Sequence, residues 1–403
     1  MTRLVDVVNF NADASCLAAG EWLAILDGGH RSRMCRWLEQ YVVLRRPVVL
    51  GIVGGAIADM ATFNPEAIAL INANRDLIEP VLRPFSHDIG LLRSARGFDL
   101  NVSLGRAVAR REFSDVIEFF LPPEFMLTNS QVKSLADAGV AGIFLNATRF
   151  KEETRDRIPG VPFMLEGVLE ARLPCIPFQG ALTKAYLDSL HAFNSTAWNE
   201  AVLSASETPV FTWRDGESAF LIPDGIEREQ VWLAEESSDI RREILSTALH
   251  NLSFEHHDPR SIEAPPSYPV HSFSAWFKEF RMLGFLGRLQ KIEDRLDSLP
   301  KDLAVLWLQA INSDILSAVE KDSPIVSLKP QPGTHSAESR FTIWRSERGF
   351  EGEDYLALLE AALIDPDRLA KLSNSSRPHL RKLWARLEYA RTLTVEAWTG
   401  SRT

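Results

Sequence analysis

The chain has 403 residues, 45% of them hydrophobic and 24% charged, with 22 Gly and 22 Pro. Such a composition is globular and excludes collagen-like, low-complexity and wholly disordered chains. Asp+Glu outnumber Lys+Arg by 54 to 44, a formal charge of −10, so nucleic acid is not expected as a partner.

Leu4 to Phe10 alternates as a strand, with no basic and then apolar leader ahead of it. Arg33 to Leu44 has helical spacing. Pro47 to Val53 is a β-branched run that leaves through Gly54-Gly55. Asn64 followed by Pro65 marks the cap and first turn of a helix to Asn74. Val116 to Phe120 reads as a strand, Ser130 to Ala138 as a helix stopped by Gly139, and Ala141 to Leu145 as the next strand. Pro209 to Trp213 and Ala219 to Ile222 complete the series as strands. Strands alternating with helices predict an α/β fold of parallel βα units over residues 1–255, open or closed into a barrel. A proline-rich stretch, 256–269, then separates a region of long helical spacing: Phe273 to Leu299, Asp302 to Val319, Tyr355 to Leu363 and Pro378 to Trp398. Residues 256–403 are expected to form a helical C-terminal domain, with a small hairpin near 324–345. The apolar face of 273–289 must be covered, either by the barrel or by a second copy of the chain in a homo-oligomer.

The three cysteines, Cys16, Cys35 and Cys175, form no C-x-x-C pair. Neither a disulfide framework nor a zinc knuckle is expected, and a reducing, cytoplasmic location fits. The longest apolar runs are strand-length, far short of the ~20 residues of a membrane span, so no membrane partner is expected.

In parallel α/β folds ligands sit at the carboxyl ends of strands, so residues just after strands carry most weight. Gly51-Ile-Val-Gly54-Gly55 lacks the spacing of a dinucleotide loop and reads as a glycine turn, and no cofactor is called for. Glu124 follows Phe119-Phe-Leu-Pro122-Pro123, whose fixed φ angles make a stiff exit and give its carboxylate a defined direction. Asp215 and Glu217 end another strand, beside Trp213, although Asp215-Gly216 is also a hairpin-turn dipeptide. Residues 75–88 gather Glu79, His87 and Asp88 around two prolines. One histidine stands where a metal pair would need two, so no metal site is assigned there. His256-His257-Asp258 lies in the proline-rich stretch and reads as solvated linker. Asn9, Asn11 and Asp13 alternate on one strand face, suited to sugar hydroxyls or to an ordinary polar strand end.

Together these stretches resemble the family 57 glycoside hydrolases. Phe120-Leu-Pro-Pro-Glu124, followed by a helix and the apolar strand after Gly139, is similar to that family's nucleophile segment. Phe211-Thr-Trp-Arg-Asp215 is similar to its acid segment, Ile78-Glu79-Pro80 to an upstream Glu-Pro element lining the site, and Leu306 to Asp314 to a helix of its helical domain. The resemblance implies a distorted (β/α)7 barrel related to polysaccharide deacetylases, followed by helices. It also implies an oligosaccharide or polysaccharide substrate with α-linkages, hydrolysed or transferred by a two-carboxylate retaining mechanism. On it Glu124 is the nucleophile and Asp215 the general acid, its pKa raised by burial beside Trp213 while Arg214 faces the other way. Glu217 is the stand-in acid, Trp213 the apolar platform for a sugar ring, and Asn9, Asn11, Asp13, Glu79 and His87 further substrate contacts. The family's His-Gln-Pro element on the first strand is replaced here by Asn9-Phe-Asn11. Two rival readings stand beside this one, the first favoured by that departure and the second drawn from the deacetylase relatives, whose Asp and two His would here have only Asp13 and His87. One is a catalytically silent carbohydrate-binding or assembly protein on the same barrel, the other a metal-dependent deacetylase.

Overall fold

A computed structural model describes residues 1–11, 19–146, 161–166, 171–178, 181–205, 209–256, 280–312 and 352–399. One sheet organises them, built from β1 (Thr2–Phe10), β2 (Val48–Ile52), β3 (Ile78–Leu82), β4 (Ile117–Phe120), β5 (Gly142–Asn146), β6 (Phe163–Glu166), β7 (Arg172–Phe178), β8 (Val210–Asp215), β9 (Ile240–Arg242) and β10 (Glu255–His256). The order is β10-β6-β7-β5-β4-β3-β2-β1-β8, with β9 paired to the start of β1. All pairings are parallel except β6 with β7.

Seven strands, β8-β1-β2-β3-β4-β5-β7, form a continuous parallel run whose two ends approach each other, curling the sheet into a barrel. Parallel sheets need both faces covered, and here alternate residues serve the two sides. Inward residues make one apolar cluster: Val5 and Val7, Val49, Val81, Phe119, Phe144, Ile176 and Phe178, Phe211 and Trp213. Leu4, Val8 and Phe10 point outward to the helical shell, among Trp22, Trp37 and Phe220. Leu245 and Ala248, just after β9, join the inner cluster and stopper the barrel's amino end.

The charged residues on the outer face pair with one another. Asp6 of β1 takes Arg214 and Arg242, and Arg214 also reaches Glu229, Tyr41 and Tyr186 between the sheet and the helices Arg33–Val43, Ala181–Ala192 and Gly225–Ala234. Arg214 thus lies on the opposite side of β8 from Asp215, as strand alternation predicts.

The C-terminal helices, Phe280–Glu293, Lys301–Ala310, Gly352–Ile364 and Pro378–Arg391, bury Phe285, Leu289, Trp307, Leu356 and Leu387 in the same outer cluster as the barrel helices. Within Phe280–Glu293 the side chains of Phe285, Leu289 and Ile292 are therefore covered by this chain, while Leu283 is half exposed. A buried ion pair bolts the layer on. Arg386 gives Nε and Nη2 to the two oxygens of Asp59, 3.0 and 2.8 Å away, and Trp22 Nε1 donates to the same carboxylate at 2.9 Å. Removing either charge would strand the other, a loss of about 3–5 kcal/mol. No helix among the described residues is long and apolar enough to cross a membrane.

Two sequence expectations are corrected. Ala219 to Ile222 is not a strand: Ser218–Leu221 is a helical turn. Gly216 N–H donates to Asn9 O at 2.8 Å, extending the β1–β8 ladder, and Phe220 N–H then donates to Glu217 O to start the turn. The Asp215-Gly216 dipeptide therefore closes a strand instead of turning a hairpin. Gly54-Gly55 opens the helix Gly54–Phe63, and its first N–H groups are spent on Pro84 O and Phe85 O. The hairpin near 324–345, the acidic residue Asp13 and most of 256–269 lie outside the described residues.

Candidate active site

Six polar side chains meet at the carboxyl end of the barrel, each delivered by the end of a strand. β1 supplies Asn9 and, one residue past its end, Asn11. β3 runs on into Arg83 and His87, β4 into Glu124, and β8 ends in Asp215. Asn9 and Asp215 are direct partners in the β1–β8 register, and Asn9 Nδ2 donates to Asp215 Oδ1 at 3.1 Å. His87 Nε2 lies 3.2 Å from Glu124 Oε1, and its Nδ1 lies 2.7 Å from Arg83 Nη2. The same Arg83 nitrogen donates to Asn11 Oδ1 at 3.0 Å. One hydrogen-bonded chain, Asn11–Arg83–His87–Glu124, therefore crosses the mouth, with the Asn9–Asp215 pair facing it.

Glu124 owes its direction to backbone geometry. Pro122 leaves β4 extended, and Glu124 and Phe125 then both adopt positive φ, 54° each. Two successive non-glycine residues in the left-handed region cost of order 1–3 kcal/mol apiece and persist only where surroundings impose them. The Phe125 ring supplies that constraint: it drops into the barrel against Trp213 and Phe178, with centroids 4.9 and 5.6 Å away. The anchored ring leaves the Glu124 side chain at the mouth, 17% exposed, whereas His87 beside it is buried.

Two glycines give close clearance to Leu121 and to the backbone at Arg83. A Cβ on Gly51 would come 2.6 Å from Leu121 Cδ2 and 3.4 Å from Arg83 Cδ, and one on Gly105 would strike Arg83 O at 2.3 Å. Arg83 itself is buried.

Electrostatics act on Asp215 and His87. Burial raises the Asp215 pKa; the Asn9 bond opposes this, and the Glu124 charge adds to it. Asp215 therefore holds a proton at higher pH than an ordinary aspartate, and the two carboxyl groups feel each other. Burial lowers the His87 pKa, with the bond and charge of Glu124 pulling the other way.

Several expected site residues lie elsewhere or do other work. Glu79 is four residues before Arg83 on the same strand, about 13 Å toward the amino end. There Oε2 accepts from Ser246 N–H at 2.9 Å in the segment that stoppers the barrel, so Glu79 does not line the site. Trp213 is buried beneath Phe125 and offers no face to a ligand; it is the floor of the site. Glu217 is buried too, and its Oε1 receives Asn11 N–H at 2.5 Å, which holds the β1 exit and leaves it poorly suited to act as an acid. Arg83 is the residue that sequence reasoning passed over. Val81 faces inward, and alternation carried two residues further puts Arg83 on the same side.

No family model matches the chain, and no curated protein matches it in sequence. Solved structures do. A GH57-type branching enzyme from Pyrococcus horikoshii superposes with a TM-score of 0.65 at 10% identity, over 98% of this chain and 96% of its own. The fold is that of the GH57 enzymes. A GH57 branching enzyme from Thermococcus kodakaraensis, in complex with glucose and additives, matches at 0.61 with 11% identity over 99% and 96%. The 4-alpha-glucanotransferase of Thermococcus litoralis matches at 0.50 with 15% identity over 97% of this chain, which spans 59% of that protein's length. The similarity thus extends over nearly the whole chain, barrel and C-terminal helices together, with the acid-bearing strand ends at the barrel's carboxyl face.

Proposed function

We propose that this protein is a retaining glycoside hydrolase or glycosyl-transferring enzyme acting on an α-glucan, with Glu124 as nucleophile and Asp215 as acid and base. The observation that carries this reading is the pairing of unlike carboxyl groups at one mouth. Glu124 is aimed by a strained turn and receives its hydrogen bond from a chain ending in a cation. Asp215 is held above the ordinary carboxylate range and is suited to keep a proton for the leaving oxygen.

The two half-reactions follow from the same coupling. Attack by Glu124 on the anomeric carbon breaks the glycosidic bond while Asp215 protonates the departing oxygen. Once Glu124 is esterified its charge is gone, and one of the influences that raise the Asp215 pKa goes with it. Asp215 then takes a proton from water, giving hydrolysis, or from a sugar hydroxyl, giving transfer. The GH57 neighbours, named as branching enzymes and a 4-alpha-glucanotransferase, make α-glucans the substrates to try first.

Maltooligosaccharide and soluble-glucan turnover should vanish in Glu124→Gln and in Asp215→Asn, with melting temperatures near that of the parent. A fluorinated α-glucosyl fluoride should label Glu124 covalently, seen as one glucosyl mass on the peptide that contains it. Turnover surviving in Glu124→Gln would remove this residue from its role. A silent glycan-binding barrel is the weaker reading, because it gives no reason to keep a strained glutamate and a proton-holding aspartate together.

A further inference from the structure

Arginine carries only donors at its guanidinium, so any close polar neighbour must accept. Arg83 Nη2 is 2.7 Å from His87 Nδ1, and this ring nitrogen must therefore be the one without a proton. An imidazolium would set N–H against N–H at that separation. The one remaining ring proton sits on Nε2, 3.2 Å from Glu124 Oε1. From these two distances we infer that Arg83 is a positioning residue that fixes His87 as the neutral tautomer protonated on Nε2, so that the ring donates to Glu124. The inference rests on Glu124 being the nucleophile only in its kinetic consequence; the placement of the proton stands on the geometry.

Three further features fit. Asn11 Oδ1 accepts from the same Arg83 nitrogen at 3.0 Å, so the guanidinium cannot swing away without losing two partners. Arg83 is buried, so bulk water does not compete for these two hydrogen bonds. The charged groups that bear on the ring are Glu124, Asp215 and Arg83; burial and Arg83 disfavour its cation, while the two acids favour it. For the reaction, the arrangement puts one ring between Arg83 and Glu124. A guanidinium bonded directly to a carboxylate would tie up its lone pairs; through His87 the carboxylate receives one neutral hydrogen bond and keeps an oxygen for attack. The imidazole absent from β1 is in effect supplied from β3.

The test is the protonation state of His87 in the full chain labelled with 15N-histidine, its signals assigned by their loss in His87→Gln. The parent should show a neutral, Nε2-protonated ring at pH 7 and keep it to lower pH than an ordinary histidine would. Arg83→Met should give mixed tautomers and a ring that titrates at higher pH than in the parent. Arg83→Lys, whose ammonium can still donate to Nδ1, should restore the Nε2–H form. An imidazolium or an Nδ1–H ring in the parent would overturn the inference. So would signals in Arg83→Met that match the parent's, and if that variant does not fold, the parent and Arg83→Lys spectra decide. On the glucan that the parent turns over, Arg83→Met should lower kcat about 10²-fold with KM within threefold, partly recovered in Arg83→Lys. An unchanged kcat would count against positioning. A parent inactive on every α-glucan would overturn the proposed function, and the spectra would still decide where the proton lies.

Discussion

Two substitutions should move the Asp215 proton in opposite directions. Asn9 Nδ2 donates to Asp215 Oδ1 at 3.1 Å and stabilises the ionised form, while the Glu124 carboxylate destabilises it. Asn9→Leu keeps side-chain volume but removes the donor. A hydrogen bond to a charged group is worth about 1.5–3 kcal/mol, and one pH unit corresponds to about 1.4 kcal/mol. The Asp215 pKa should therefore rise by about 1–2 units, toward the lower figure if water takes the vacated place. Glu124→Gln replaces a like charge with a neutral amide and should lower it. The assay is a carboxyl 13C titration of labelled aspartate, with Asp215→Asn identifying the signal. In active Asn9→Leu the alkaline limb of kcat/KM should move up by the same amount. A downward shift in Asn9→Leu, or shifts of one sign in both variants, would refute the electrostatic reasoning on which the acid role rests.

Gly105→Ala, on the helix Ala95–Glu112, should cost about 1–3 kcal/mol, because its Cβ would meet the backbone at Arg83 O and Phe85 N, 2.3 and 2.6 Å away. Turnover should fall with it as the 83–87 segment shifts, whereas Gly287→Ala, in a helix with open space around it, should leave turnover unchanged and raise stability by up to about 1 kcal/mol in denaturant titration. Asp88, buried against Arg93 and near Glu293, has its pKa pushed up by burial to about 6. The folded chain then binds a proton there that the unfolded chain has lost, so stability should fall as pH rises from about 4 to 6, by at most roughly 3 kcal/mol. Asp88→Asn should flatten that part of the stability–pH curve. Glu79→Gln should keep turnover within about twofold, since Gln Oε1 can still accept from Ser246 N–H at the far end of the barrel; a loss comparable to that of Glu124→Gln would return Glu79 to the site.

The sequence was most legible where local chemistry and tertiary need agree. Asn64 caps the helix that Pro65 begins, with its side chain accepting Ala67 N–H, and the β-branched run before Gly54 is β2. The carboxylates after β4 and at the end of β8 could be picked out because Pro122-Pro123 and the Trp213-Arg214-Asp215 alternation leave little choice of direction. Strands broken by proline were the hard cases. β7 carries Pro174 and Pro177 yet lies between β5 and β6, where proline is not expected within a sheet. The helix Ala95–Glu112 is obscured by Gly97 and Gly105, poor helix formers that are there for clearance: a Cβ on Gly97 would sit 2.1 Å from Glu293 Oε1. Glu79 and Trp213 were misplaced for another reason. Sequence tells which side of a strand a residue faces, but not at which height along a barrel it sits, and height separates lining from floor and stopper.

The aspartates and glutamates of this sheet supply their own comparison for the site. Asp6, fully buried on β1, is opposed by burial, yet Arg214 and Arg242 outweigh that and hold it below the ordinary carboxylate range. Asp59 is saturated by Arg386 and Trp22, and Glu229 by Arg214, Tyr41, Trp37 and Tyr186. These three carboxylates are met by cations and several donors, as the cost of burying charge requires. Asp215 is only partly buried, has a neutral amide for its nearest donor and a like charge facing it, and its pKa goes up. Asp6 and Asp215 lie on neighbouring strands, on opposite sides of one sheet, with opposite shifts. Structural economy accounts for the first. The second makes physical sense where a proton must be held until a bond breaks. Burial also raises the pKa of Glu79 and of Asp88, so what sets the mouth of the barrel apart is the forced turn at Glu124 and the facing of its charge toward Asp215.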